Sequence, residues 1–116
     1  MKKSSKKLDN ILRKGLTDIC EYTLKGIDGF QWLTHLVDYE RFPESLKIVL
    51  IFDKPHQVSR FHNSSERAIV EDNIAKLMQQ HQIKIKSLSQ RIFYDNESDC
   101  AAQHNGDWVK RLASVH

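Results

Sequence analysis

Residues 46–53 have the sequence LKIVLIFD, a nearly continuous apolar run that closes at Asp53. Runs of this kind are typical of strands that are buried on both faces, because neither side alternates to polar residues. We therefore predict that this segment is the central strand of a sheet, and the other elements are assigned around it.

The segment before it, residues 30–37 (FQWLTHLV), is rich in aromatic and β-branched residues and follows a glycine. These features favour a strand, although a short helical stripe remains an alternative. Residues 38–45 (DYERFPES) contain Pro43, which neither element can continue through, so we expect an antiparallel hairpin with a wide loop. In a regular strand, one face would carry Phe30, Trp32, Thr34 and Leu36.

An amphipathic helix is predicted over residues 6–26. Its apolar residues recur at steps of three and four, and Ser4 or Ser5 can cap its start. Gly15 lies in the middle of this helix, where glycine costs about 1 kcal/mol relative to alanine. We interpret Gly15 as a mark of close packing against a neighbouring element.

The second half of the chain is predicted to begin with a loop at residues 54–63. Asn63 and Glu66 have the spacing of a capping box, which indicates a helix over residues 64–82. In the next segment, residues 83–86, two isoleucines alternate with two lysines, which indicates a short strand with one wet face.

The C-terminal third is predicted to hold one more strand and two short helical pieces. RIFY at residues 91–94 continues or restarts the strand, and a helix is expected near residues 97–104. Asn105-Gly106 breaks that helix, and a last apolar turn follows around Trp108 and Leu112.

The predicted order is helix, strand, strand, helix, strand, helix. We therefore expect an α+β fold, with mixed α/β as an alternative: a small mixed sheet of three to four strands with packed helices. A chain of 116 residues is the size of a single domain. If residues 46–53 and 83–94 are parallel, the helix between them should make a right-handed crossover.

Positive charge is concentrated at the start of the chain. Residues 1–14 carry six basic groups and one acid, whereas the rest carries 12 basic and 14 acidic groups, so the overall charge of +3 is uneven. Residues 1–7 are expected to be a mobile basic arm. The candidate nucleic-acid-binding residues are Lys2, Lys3, Lys6 and Lys7, which would contact phosphates without reading sequence.

Cysteine usage and hydropathy favour a cytoplasmic protein that does not enter membranes. Cys20 and Cys100 form no CxxC pair, as is usual in a reducing compartment. The first ten residues, MKKSSKKLDN, have charge where a secretory signal needs apolar residues. The longest apolar run is residues 48–52, far short of the roughly 20 residues that span a bilayer.

The best candidate for a ligand site is the segment after Asp53. Ligands of sheets with crossover helices tend to bind beyond the carboxyl ends of strands, and a helix N-terminus there would attract an anion. The alternative is an ordinary solvated loop. The candidate residues for binding a phosphate or carboxylate are Lys54, His56, Arg60, His62 and Ser64.

Neither a metal centre nor a cofactor is expected. Cys100 and His104 would share a helix face, but structural zinc needs four ligands and no second pair is evident. Catalysis is also not expected, since neither a G-x-S-x-G motif nor a phosphate-binding glycine-rich loop occurs. The remaining enzymatic alternative is a small metal-dependent hydrolase or nuclease that would use Asp38, Glu40, Glu44, Asp53 and Lys47.

The aromatic side chains allow a stacking surface for single-stranded nucleic acid or a core role. We expect Trp32 in the core, because a small domain needs large apolar side chains inside. Trp108 lies near the end of the sequence and is open to either a core or an interface role.

Three stretches, GFQWLTHLVDYERFPESLKIVLIFD, FYDNESDC and NGDW, resemble a group of short uncharacterised bacterial proteins, some labelled Fis-like transcriptional regulators. A Fis-type regulator ends in a helix-turn-helix, whereas a strand and an Asn-Gly break are predicted here, which argues against sequence-specific DNA binding. The leading hypothesis is a non-enzymatic module that binds a protein partner or self-associates. The alternative is a nucleic-acid-associated regulator that uses the basic arm.

Overall fold

The computed structural model describes residues 3–114, which fold into a mixed sheet with helices packed on it. The elements in chain order are α1 (Lys3–Ile19) with a π-helical turn (Cys20–Leu24), β1 (Phe30–Leu36), a 3₁₀ turn (Tyr39–Arg41), β2 (Lys47–Phe52), α2 (Pro55–His62), α3 (Ser65–Gln80), a 3₁₀ turn (Leu88–Arg91), β3 (Ile92–Asn96), α4 (Glu97–His104) and α5 (Trp108–Leu112). The predicted α+β class and element order are confirmed.

The sheet has the strand order β1-β2-β3, so β2 is its central strand. β1 pairs with β2 antiparallel, which confirms the hairpin with its wide loop, and Leu36 lies opposite Lys47. β3 pairs with β2 in parallel, with Ile48 opposite Ile92, and the connection between them contains α2 and α3. The carboxyl termini of β2 and β3 therefore lie at the same end of the sheet.

Strand β2 is buried on both faces, as predicted. Its alternate residues Ile48, Leu50 and Phe52 join the main core cluster with apolar side chains of α1 and α3. The intervening residues Val49 and Ile51 are also buried, but outside that cluster. Side chains of a strand alternate between faces, so these two residues form a second, smaller core on the other side of the sheet.

The pairing of β1 differs from a regular strand at its start. A register shift between Phe30 and Trp32 places Phe30 opposite Phe52 and Trp32 opposite Ile51, which is the pattern of a β-bulge. Phe30 consequently packs against the main core with Leu33, while Trp32 is only half-buried and lies on the opposite face. The expectation that Phe30 and Trp32 share a face was wrong, and Trp32 packs outside the main core cluster.

Helix α1 begins earlier than the sequence indicates. Lys3 is already helical, so Ser5 lies inside the helix instead of capping it. Residues 3–7 form the first turns of α1, and Lys2 lies outside the described residues. Neither α1 nor another helix within residues 3–114 combines the length and apolarity needed to cross a bilayer.

The segment predicted as a loop at residues 54–63 contains helix α2. Pro55 is the first residue of this helix, where its missing N–H and fixed φ are favourable rather than disruptive. The side chain of Gln57 accepts a hydrogen bond from the Lys54 N–H at 2.9 Å and so caps the first turn. The prediction of a loop over the whole of residues 54–63 was wrong.

The boundary between α2 and α3 also differs from the prediction. Asn63 ends α2, where its side-chain amide donates to the Ser59 carbonyl at 3.0 Å. Helix α3 starts at Ser65, with Ser64 in the N-cap position, so the predicted capping box of Asn63 and Glu66 does not form.

The predicted strand at residues 83–86 is absent from the described sheet. Gln82 and Ser87 bracket the segment, and both have left-handed backbone conformations, with φ of 56° and 52°. The Ile83 N–H bonds back to the Met78 carbonyl at 2.8 Å, so the chain folds against the end of α3 rather than extending along the sheet. Ile83 is buried, whereas Lys84 and Lys86 are exposed.

Gly15 lies at the contact between α1 and α3, as the sequence suggested. A Cβ atom added there would overlap the methyl carbons of Leu77 on α3, and Leu77 is itself buried. Gly15→Ala gains about 1 kcal/mol of helix propensity but overpacks this contact, which costs about 1–3 kcal/mol. We expect a net decrease in the free energy of unfolding, measured by urea titration.

Two controls separate overpacking from backbone effects. Gly26→Ala should be neutral or slightly stabilising, because no atom lies within 4 Å of a Cβ at that position. In a Leu77→Ala background, Gly15→Ala should become stabilising. A stabilising Gly15→Ala in the otherwise unchanged chain would show that the helices separate at no cost.

Candidate functional site

The residues predicted to bind an anion after β2 are held by separate neighbours. The Lys54 ammonium donates to the Ser98 hydroxyl at 3.2 Å, and the Arg60 guanidinium pairs with the exposed Asp28 at 2.8 Å. The Ser64 hydroxyl donates to the Phe61 carbonyl at 2.7 Å. His56 is exposed in the first turn of α2. Lys54, Arg60 and Ser64 are thus each engaged with a different partner.

The fifth residue of that set, His62, belongs to a polar cluster between α2, α3 and β3. Its Nε2 lies 3.1 Å from the Arg67 guanidinium, and Arg67 in turn donates to Glu71 at 2.9 Å. The Tyr94 hydroxyl donates to the same Glu71 oxygen at 2.6 Å, and burial together with this bond raises the pKa of Tyr94. The cluster fastens α3 to the edge strand β3.

A second polar cluster fastens α4 and α5 to the sheet. The Trp32 indole N–H donates to one oxygen of Glu97 at 2.7 Å, and the Trp108 indole N–H donates to the other at 3.1 Å. The two indole rings meet edge to face, with centroids 5.1 Å apart. Both tryptophans are therefore engaged within the chain, which argues against their use as a flat stacking surface.

The neighbourhood of Cys100 is organised by an ion pair. Arg111 on α5 makes a two-pronged contact with the Asp95 carboxylate at 2.6 and 2.9 Å, the geometry of a strong charge-assisted pair. Arg111 also lies 3.2 Å from Nδ1 of His104. Cys100 is fully buried, as its core interpretation requires, and burial raises the pKa of its thiol.

The acidic residues of the nuclease alternative lie at opposite ends of β2. Asp38 accepts from the Glu40 N–H in the turn before β2, whereas Asp53 follows the last residue of the strand. A strand rises about 3.3 Å per residue, so the length of β2 separates Asp53 from the other carboxylates. Within residues 3–114, the His, Cys, Asp and Glu side chains form no group that could hold a metal ion.

A large depression in the described part of the chain lies at the end of the sheet opposite to Asp53. It has a volume of about 890 Å³ and is formed by the C-terminal half of α3, the segment that follows it and the loop before β2. We call it the α3 groove. Its lining residues are Pro43, Glu44, Ala75, Met78, Gln79, Gln82, Ile83, Lys84, Ile85, Lys86, Leu88 and Arg91.

The α3 groove combines an apolar floor with a cationic rim. Ile85 and Leu88 are half-buried and pack against the core, and the buried Met78 on α3 also lines the groove. Sequence reasoning missed this site because the alternation of isoleucine and lysine at residues 83–86 was interpreted as a strand. The signal in the sequence that could have identified the groove is the segment after α3, residues 83–86, in which isoleucines and lysines alternate.

A basic surface lies on helix α1. Lys6, Lys7 and Lys14 are exposed and line a shallow depression of about 410 Å³ together with Asn10 and Ile11. We call these three lysines the α1 lysine face. Within the described residues, none of them forms a salt bridge.

The same helix is tied to the sheet by an acidic residue. Asp9 accepts from the Tyr39 hydroxyl at 2.8 Å and lies 3.3 Å from Nε2 of His35. The Tyr39 hydrogen bond is the largest influence that holds the pKa of the Asp9 carboxyl below its usual 3.8. This bond fixes the N-terminal half of α1 against the hairpin, so the α1 lysine face is held at a defined place.

Comparison with protein-family models, with curated proteins and with solved structures found no match for this chain.

Glu97 offers a test of how α4 and α5 are held. Glu97→Ala removes the acceptor of both indole N–H groups, and a donor left without a partner costs about 1–3 kcal/mol when buried. Because both tryptophans are half-buried, we expect a loss of about 1–2 kcal/mol in the free energy of unfolding. Urea titration followed by circular dichroism measures it without relying on indole fluorescence.

Glu21→Ala is the matched control, since Glu21 is exposed and makes only a long surface pair with Lys25 at 4.0 Å. It should change stability by less than about 0.5 kcal/mol. Equal effects of the two substitutions would show that the Glu97 contacts contribute nothing specific.

Proposed function

We propose that this protein is a non-enzymatic binding module and that a segment of a partner protein docks in the α3 groove. The single observation that carries the proposal is the groove itself: about 890 Å³, with half-buried apolar side chains left open on its floor. Folding leaves apolar surface accessible to water in this concave site. Covering that surface with a partner is favourable, because it removes the surface from water.

The polar clusters elsewhere support this choice of site. Around Asp95 and Glu71, charged side chains are joined in ion pairs and hydrogen bonds that fasten elements together. At the α3 groove, by contrast, Lys84, Lys86 and Arg91 form no ion pair within residues 3–114. These cations and the open apolar floor remain available to a partner.

Ile85 on the groove floor provides the test. Peptides are selected on the immobilised chain from a random phage-displayed library, and their affinities are measured by fluorescence polarisation. Ile85→Asp places a charge on the floor, so we expect the selected peptides to bind it at least about tenfold more weakly. Leu88→Asn is a second floor variant with the same expectation.

Ile69→Asp is the matched control, because Ile69 is a 55% exposed isoleucine on α3 outside the groove lining. It should leave peptide affinity within about twofold, as surface changes away from a binding site do. Circular dichroism and thermal melts check that each variant is folded. Peptide binding that ignores both Ile85 and Leu88 would refute the groove as the docking site.

A nucleic-acid-associated regulator is the second candidate function, as the resemblance to Fis-like proteins implies. The specific observation in its favour is the α1 lysine face, whose three cations have no acidic residue among the side chains that line the depression. Such a surface suits phosphate contacts that neutralise charge without reading bases.

Lys6→Gln/Lys7→Gln tests this second candidate. We expect it to weaken binding of a labelled 20-nucleotide single-stranded DNA by about fivefold and to lessen the dependence of log K on log salt, since two phosphate contacts are lost. Fluorescence anisotropy over a range of NaCl concentrations measures both quantities.

Lys25→Gln/Lys76→Gln removes the same net charge from exposed positions outside the lysine face and serves as the control. If the two double variants lose affinity equally, the effect is one of net charge, and the α1 lysine face has no special role.

A further inference from the structure

We propose that the occupant of the α3 groove is an amphipathic segment rich in acidic residues, which lays its apolar side on the floor and its carboxylates against the rim. This inference rests on the proposed docking function and adds the chemical class of the partner.

The rim of the groove is the first argument. Three cationic side chains, Lys84, Lys86 and Arg91, line it, against one acid, Glu44. Two carbonyls at the C-terminal end of α3 are engaged within the chain, because Met78 accepts from the Ile83 N–H at 2.8 Å and Gln79 accepts from the Gln82 N–H at 3.1 Å. The groove therefore favours a negatively charged partner.

The arrangement of floor and rim is the second argument. Along residues 83–86 the isoleucines are buried or half-buried and the lysines are exposed, so apolar and cationic groups alternate along the segment. An amphipathic helix presents apolar residues at steps of three and four, with charged residues on its flanks. Acidic flanks on such a segment would meet Lys84 and Lys86 while its apolar side covers Ile85 and Leu88.

The composition of the lining disfavours nucleic acid as the occupant. Sites that bind single strands without sequence preference stack bases on aromatic rings, and the groove lining contains no aromatic residue. Its apolar residues are Ile, Leu, Met, Ala and Pro, and methionine together with aliphatic side chains is typical of grooves that accept peptide helices.

The test compares two synthetic 16-residue peptides with the same leucines at helical spacing, one with glutamates and one with lysines at the remaining charged positions. Each carries fluorescein and is titrated with the full chain. We expect the acidic peptide to bind at least about tenfold more tightly than the basic one, and Lys84→Gln/Lys86→Gln to weaken it about fivefold. Lys25→Gln/Lys76→Gln, the control of equal charge, should leave it within about twofold.

The outcomes separate this inference from the function on which it depends. If both peptides bind alike and both depend on Ile85, docking in the groove stands and the acidic class is overturned. If neither these peptides nor the library peptides depend on Ile85, the docking function fails as well. A single-stranded DNA that binds more tightly than the acidic peptide, and loses affinity in Ile85→Asp, would make nucleic acid the occupant and also overturn the proposal.

Discussion

Strand β2 has apolar side chains packed on both of its faces: Ile48, Leu50 and Phe52 against the helices of the main core, and Val49 and Ile51 on the opposite side. Each such side chain contributes about 1.5–3 kcal/mol when it is removed from water. The other two strands pair only with β2, one along each edge. Every helix is therefore positioned, directly or through a strand, by the burial of this one segment.

Polar interactions then fasten the periphery to that centre. Asp9 joins α1 to the hairpin, Glu71 joins α3 to β3, and Glu97 and Asp95 join the C-terminal helices to the sheet. Each of these acids has two or more hydrogen-bonding contacts within the fold. The cations of the α3 groove have no comparable partner in the described residues, which makes that surface chemically distinct.

The elements with long, regular patterns were predictable from sequence. The run at residues 46–53 identified the central strand, and the stripe of α1 identified the helix that covers it. A predicted boundary was wrong where a residue type can either end or start a helix. Proline ends a helix that precedes it, but Pro55 is the first residue of α2. The bulge after Phe30 could not be predicted from the alternation of apolar and polar residues along β1, because Phe30 and Trp32 are both large apolar residues.

The candidate site was harder to predict, since its parts come from distant segments. Alternation of isoleucine and lysine at residues 83–86 is compatible with a strand, and only the left-handed backbone at Gln82 and Ser87 directs it against α3. The contact of Glu97 with two tryptophans is likewise invisible in sequence, as Trp32 is far from it along the chain. Of the residues proposed from sequence after β2, Lys54 and Arg60 are engaged with separate partners, Ser98 and Asp28, which come from distant segments of the chain.

The parallel pairing of β2 with β3 determines at which stage of folding the α3 groove forms. The partner of Ile48 is Ile92, which lies beyond two helices, so this pairing closes a long stretch of chain, whereas the β1–β2 hairpin is local. Contacts that close long loops form late because chain entropy opposes them. One wall of the groove belongs to the hairpin loop at Pro43 and the other to the chain entering β3 at Arg91. The groove is consequently complete only in the native state. A ligand that binds there would therefore raise the free energy of unfolding.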